Sequence, residues 1–323
     1  MTITRKFAHI QQPRVELNIT DLCNLRCDFC PRAHGYPNKN LHMSNEMLDL
    51  YLAGVKEYYE KHNHFLTTFL IGRGEPTLHN DFIGLVTRIY EFNEKMFEEY
   101  PELHERKTPK VGNIHTNGYK YENWIPQIGH LFNQIDFNCY SDRTHVEYLR
   151  IKEEMKQYPH ICVHDRGTTG RNVPLQESRT NKHGNTTPVT YNSRAGSIPE
   201  NIIPMKNLDD AKNKTCNKPF DMLYLDFDGE WRLCCNDWDD LISLGNLKDI
   251  SIVKHMSNNN IFNEYRWRLA NGDRSLTPCN KCNASVKSDH AESDFVHTFS
   301  QIVDMNPQWI RSVKHIDLKQ SLY

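Results

Sequence analysis

Cys23-Asn24-Leu25-Arg26-Cys27-Asp28-Phe29-Cys30 is the stretch from which the rest of the chain is read. Three thiols at C-x3-C-x2-C spacing suit three irons of a cubane [4Fe–4S] cluster, and the fourth iron is then open to a small molecule. Clusters normally take four cysteines, so a loop of three points to chemistry at the cluster and not only to electron storage. A zinc ion completed by a fourth ligand such as His34 is the competing reading. Zinc loops favour paired C-x2-C spacing, which argues for iron.

Outward from the loop, Arg14–Thr20 alternates and leads directly into Cys23, which predicts a first strand. Ser44–His62 reads as a helix, with Ser44 as N-cap and Met47, Leu48, Tyr51, Leu52 and Val55 on one face. Phe65–Ile71 is a second strand ending at Gly72-Arg73-Gly74-Glu75-Pro76, and Asp81–Tyr100 a second helix. Val111–His115 is a strand ending at Thr116-Asn117-Gly118. Gln134–Tyr140 is another, followed by Ser141-Asp142 and a helix over Thr144–Tyr158, and His160–His164 is a fifth. Strands alternating with helices predict an α/β fold with a parallel sheet. Sites in such folds lie at the C-terminal ends of the strands, where all four of these chemically capable loops fall.

By their chemistry alone, Gly74 lets the backbone approach a ligand and Glu75 offers a carboxylate to a bound ammonium. The cysteine loop with Phe29 before its last cysteine, followed by Gly72–Leu78, resembles the signature of the radical S-adenosylmethionine (SAM) superfamily. The resemblance covers roughly residues 14–200. It implies a partial (β/α)6 TIM-like barrel. It also implies SAM chelating the open iron through its amino and carboxylate groups and cleaved reductively to a 5′-deoxyadenosyl radical, the cofactor doing the hard chemistry. Arg73 stands where the family's Gly-Gly-Glu-Pro motif has its first glycine. Thr116, Asn117 and Ser141 match segments near the SAM ribose or methionyl group, and Phe29 is expected to present its backbone to the adenine. Asn192, Arg194 and Gly196 resemble a stretch of the SPASM and twitch subgroup, in which Arg194 would pair with the SAM carboxylate or touch substrate.

Cys216, Cys234, Cys279 and Cys282 form a second group, with Gly229 giving C-x12-G-x4-C. This resembles the start of a SPASM domain. With no cysteine after Cys282, the resemblance is to the shorter twitch type, which holds one auxiliary [4Fe–4S] cluster, and to aminocyclitol dehydrogenases. Structural zinc is again the alternative. Cys235 could exchange with Cys234, and strand alternation allows only one of them to ligate. Met222–Phe227 and Glu230–Cys234 flank Asp228-Gly229 and predict a hairpin, and Asp249–Met256 and Ile261–Asn271 predict helices. The expected division is a core over 1–200 with a polar insertion at about 165–200, an auxiliary cluster domain over 201–290 with its small hairpin and helix, and an extension over 291–323. The polar run Asp165–Thr215 reads as a lid or a partly disordered insertion, with a short strand over Pro188–Asn192.

Composition excludes several classes. In 323 residues, 39 Lys and Arg against 41 Asp and Glu give a formal charge of −2, which offers no general reason to bind nucleic acid. No apolar run reaches membrane-span length, and Met1–Gln12 lacks the apolar region of a signal peptide. Ten cysteines, eight of them in or beside metal-like groups, then fit a reducing cytoplasm. Of the remaining thiols, Cys139 and Cys162 read as small hydrophobes. A thiol at Cys139 could also donate a hydrogen atom to a substrate radical, as in an epimerase, so Cys139 and Arg194 are the catalytic candidates.

These parts predict an oxidoreductase that abstracts hydrogen from a small polar substrate, such as a sugar or cyclitol. An alcohol would become a ketone, with one electron passing to the auxiliary cluster and a flavodoxin- or ferredoxin-type protein as donor. A maturase of a ribosomally made peptide is one alternative, and a non-catalytic metal-binding scaffold is another.

Overall fold

The structure, a computed structural model, describes residues 14–105, 107–140, 142–167, 178–180, 186–188, 193–199, 216, 218–270 and 272–284. Strands and helices alternate from the start: β1 (Arg14–Leu17), α1 (Asn45–His62), β2 (Thr67–Phe69), α2 (Phe82–Glu99), β3 (Val111–Thr116), α3 (Tyr121–Ile128), β4 (Phe132–Cys139), α4 (His145–Glu154) and β5 (Ile161–Asp165). β1 pairs in parallel with β2, and β3, β4 and β5 pair in parallel in that order. A parallel bridge from Leu70 to Ile114 connects the two sets. The result is a mixed α/β fold built on parallel sheets, with the cysteine loop and the Glu75 turn at strand C-terminal ends.

Local chemistry sets the boundaries. The Ser44 side chain accepts from Met47 N and starts α1, which ends at Asn63 in the left-handed region (φ 52°). A reciprocal capping box between Thr144 and Glu147 starts α4. Val15, Leu17 and Ile19 are buried on the apolar face of the first strand and its extension, and join one core with Leu48, Val55, Ile114, Ile135 and Phe137. The alternate residues Glu16, Asn18 and Thr20 are buried but polar. A strand whose helix-facing side is apolar and whose other side is polar has a cavity to line.

The short strands β6 (Ser178–Thr180) and β7 (Thr186–Pro188) pair antiparallel, with Ser178 opposite Pro188. Pro188 is the last described residue of β7, and residues 189–192 of the strand expected over Pro188–Asn192 lie outside the described residues.

After α5 (Lys218–Asp221), the hairpin forms as β8 (Met222–Leu225) and β9 (Trp231–Arg232), turning at Gly229 with φ 85°. β8 lies parallel to β1, with Glu16 opposite Tyr224. The hairpin is thus hydrogen-bonded into the sheet that carries the first cysteine loop. α6 (Ile252–Asn258) and α7 (Asn260–Ala270) follow, and α6 packs on α1 where Gly54 admits Ile252. No helix among the described residues is long and apolar enough to cross a membrane.

Candidate active site between two cysteine groups

The first loop is pinned by a buried ion pair. Arg32 Nη2 donates to Asp21 Oδ1 at 3.1 Å and to the Asp21 carbonyl at 2.7 Å. Asp21 also accepts from the Tyr36 hydroxyl and from Lys39 N. Cys30 N donates to the Cys27 carbonyl at 2.8 Å, so the C-x2-C part is a tight turn. A Cβ at Gly74 would lie 2.2 Å from the Thr20 carbonyl oxygen, so glycine is required there by the approach of the loop's own backbone.

Glu75 is 3% exposed, and its two oxygens collect four donors. Oε1 accepts from the Thr116 hydroxyl, from Thr77 Oγ1 at 2.8 Å and from Thr77 N at 3.3 Å. Oε2 accepts from Asn117 N at 2.6 Å. Asn117 also donates to Asn24 in the cysteine loop at 2.8 Å. Arg143 donates to the carbonyls of Asn117 and Gly118, a clamp that no motif announced. Burial raises the Glu75 carboxyl above its ordinary value despite these donors. Among the described residues it has no salt bridge, so a bound ammonium would supply the missing cation.

A cavity of about 750 Å³ spans the strand ends. Cys23, Cys27, Cys30, Phe29, Gly74, Glu75, Thr116 and Asn117 line one part of it, and Arg194, Tyr224, Cys234 and Cys235 another. Arg194 donates to Asn236 at 3.2 Å from a turn in which Arg194 and Ala195 both have positive φ, 50° and 54°. Two consecutive non-glycine residues in the left-handed region are strained, and such strain clusters where a side chain must be aimed. The Ser193 side of this turn is tied to the C-x2-C segment through Asn283 and Lys281.

Cys139 is not brought to the cavity. It is fully buried among the core residues, while Asn138 and Tyr140 on either side line the cavity. Strand alternation puts it on the helix face with Ile135 and Phe137. Ser141 and Asn192 lie outside the described residues.

A second, small cavity lies among Cys216, Cys234, Cys279 and Cys282. Cys234 lines both cavities, whereas Cys235 lines only the large one. Changing either thiol discriminates between them. Cys234→Ser is expected to lower iron by about four per chain, the content of one cubane, and Cys235→Ser to leave it unchanged. Equal losses in the two variants, by iron and sulfide assay, would reverse this assignment.

The donors fit clusters by their chemistry: three thiols line the large cavity at the first loop and four line the small one, all-thiol sets of the kind cubanes take. Burial, then neighbouring Cys30 and Cys23, push the Cys27 thiol up to about 12. Burial and the surrounding cysteines push Cys234 well above its ordinary value. Such crowded thiols become thiolates only against a compensating positive charge, which bound iron would supply.

Sequence reasoning missed the polar wall formed by Glu16, Asn18, His115, Asn138, Tyr224 and Arg232. The signal was present as polar residues at alternate positions of buried strands. Glu16 is 6% exposed. Burial pushes its carboxyl up to about 6, against Lys218, His115, Arg14 and Arg194, which lower it. The folded pKa lies above the unfolded one, so the carboxyl's contribution is intact below the unfolded pKa and is lost as pH rises through about 6. A displacement of this size is worth about 2 kcal/mol. Glu16→Gln is therefore expected to melt several degrees higher than the parent at pH 8, the gain shrinking towards pH 5. Identical melting at pH 8 would contradict it.

Comparison with known proteins agrees with this geometry. Residues 216–283 match the model of the SPASM family, an iron–sulfur cluster-binding domain. The crystal structure of BtrN in complex with AdoMet and 2-DOIA aligns with a TM-score of 0.59 at 16% identity, over 84% of this chain and 93% of that one. BtrN in an open conformation aligns with a TM-score of 0.53 at 14% identity, over 85% and 94%. A search of curated proteins found no match. The SPASM match thus covers the segment with the second cysteine group, and the two BtrN structures share the fold of most of the chain.

Proposed function

We propose that the chain is an oxidoreductase that oxidises an alcohol carbon of a small polar molecule, a sugar or cyclitol, to a ketone. One observation carries the reading: a single cavity is lined by the three cysteines of the first loop and by Cys234, which also lines the small cavity of the second cysteine group. When bound, SAM and its cluster supply an adenosyl radical that removes hydrogen from carbon, and the auxiliary cluster supplies a one-electron acceptor. The chain's residues hold and orient. Cys23, Cys27 and Cys30 bind the first cluster, and Cys216, Cys234, Cys279 and Cys282 the second. Glu75 binds the SAM ammonium, Thr116 and Asn117 fix that carboxylate, Phe29 flanks the adenine, and Arg194 contacts the SAM carboxylate or the substrate. The parallel order from β1 to β5, with β8 beside β1, supports a partial TIM-like barrel as the scaffold.

A polar wall of Glu16, His115, Asn138, Arg166 and Arg232 suits a hydroxylated ring better than an apolar compound. BtrN, of similar fold, was crystallised with 2-DOIA, a small molecule. The test is anaerobic reconstitution with SAM, dithionite and a panel of sugars, cyclitols and their amino derivatives. One member is expected to raise 5′-deoxyadenosine formation and to lose two hydrogens in equal amount. Turnover with unchanged substrate mass would indicate an epimerase. Turnover only with a peptide would favour the maturase reading.

A further inference from the structure

Arg73 sits in the Glu75 turn, yet its side chain leaves that turn and is only 8% exposed. Nη1 donates to Asp240 Oδ1 at 2.6 Å and to the Tyr36 hydroxyl at 3.3 Å, and lies 3.6 Å from Asp226 Oδ2. Nη2 donates to the Asp237 carbonyl. The guanidinium lies 5.7 Å from the Trp238 ring and 5.8 Å from the Tyr36 ring. The Arg73 carbonyl accepts from Arg32 Nε at 2.8 Å, and Arg32 is the residue that pins Asp21 at the base of the first cysteine loop. Three segments distant in sequence therefore meet on one residue: the first loop through Arg32 and Tyr36, the Glu75 turn itself, and Asp237–Asp240 just after Cys234.

We propose that Arg73 is a positioning residue that locks the loop following Cys234 to the Glu75 turn, and so fixes the separation of the two cluster sites across their shared cavity. A planar fork with five donors can reach carboxylate, carbonyl and hydroxyl acceptors at once, which a lysine ammonium cannot do from one position. The attachment is buried, so its loss would leave Arg232, at 2.8 and 3.2 Å, as the remaining cation on Asp226 and Asp240 among the described residues, with Asn18 still donating to Asp226 at 2.7 Å. Electron passage between two centres falls steeply with distance, so a fixed spacing is worth building. The lock operates whichever substrate the cavity takes.

The test uses the full chain with both clusters loaded. Arg73→Met keeps the alkyl stem and removes the donors, Arg73→Lys keeps the charge, and Lys56→Met breaks an exposed pair with Glu99 as a control. Arg73→Met is expected to speed amide exchange at least about tenfold in residues 235–245 and 31–41, corresponding to about 1.4 kcal/mol of local opening. Iron content stays unchanged, and the paramagnetic relaxation between the two reduced clusters is altered. Arg73→Lys falls between parent and Arg73→Met, and Lys56→Met matches the parent. If Arg73→Met does not fold, Asp240→Asn removes only the outer acceptor and is expected to speed exchange about threefold in 235–245. Parent-like exchange and relaxation in Arg73→Met would overturn the proposal. So would exchange accelerated equally throughout the chain, or parent-like exchange in Asp240→Asn.

Discussion

Cys27→Ala is expected to reduce SAM cleavage to background, a loss of at least about 10³-fold, equivalent to about 4 kcal/mol in the barrier. Iron should fall from about eight to about four per chain, because one cubane is lost and the other kept. Cys27 is the middle thiol of three, and its carbonyl anchors the turn that carries Cys30. Alanine preserves that backbone bond, so the loop keeps its shape while the donor set drops to two thiols. The second group lies at a separate cavity and does not use Cys27, so the residual iron should carry its own spectrum. The measurement is 5′-deoxyadenosine formed anaerobically with dithionite, together with iron and sulfide assays. Parent-level cleavage by Cys27→Ala would sink the assignment of the first loop as the reactive centre.

Glu75→Gln is expected to weaken SAM binding about 100-fold while leaving both clusters in place. The carboxylate accepts four hydrogen bonds and has no donor of its own. An amide replaces one acceptor by an NH2 group, which must face either the Thr116 and Thr77 donors or Asn117 N. A buried donor facing donors costs about 1–3 kcal/mol, and the charge-assisted bond to the SAM ammonium is lost as well. The pH dependence separates these effects. Burial raises the Glu75 carboxyl above its ordinary value, and the proposed contact with the SAM ammonium needs the ionised form. Parent affinity should therefore decline as pH falls through that raised value, whereas the glutamine variant should be flat over the same range. SAM affinity measured by equilibrium dialysis across pH checks this, and a parent without such a decline would remove Glu75 from the ammonium site.

Much of the site was legible because covalent spacing sets it. C-x3-C-x2-C, the Gly-Glu-Pro turn and the C-x2-C pair near Cys279 are local, and local spacing survives any fold. The Thr116 and Asn117 match was short, yet both residues reach Glu75 because β3 ends beside the Glu75 turn. Cys139 went the other way. A strand-end thiol looks available in one dimension, but parity along β4 turns it into the core. Cys234 and Cys235 lie beyond the end of β9, so strand parity does not separate them; Cys234 reaches both cavities and Cys235 lines the larger one.

The sequence by itself determined the alternation of strands and helices, both cysteine groups and the hairpin at Gly229, because periodicity and turn chemistry act over a few residues. Only the tertiary structure decided that β8 lies against β1, that Arg73 reaches Asp240 across 167 positions and that Glu16 faces a cavity. Those outcomes depend on which sheet edge is free and which buried charges must find partners, and both are settled when the chain packs.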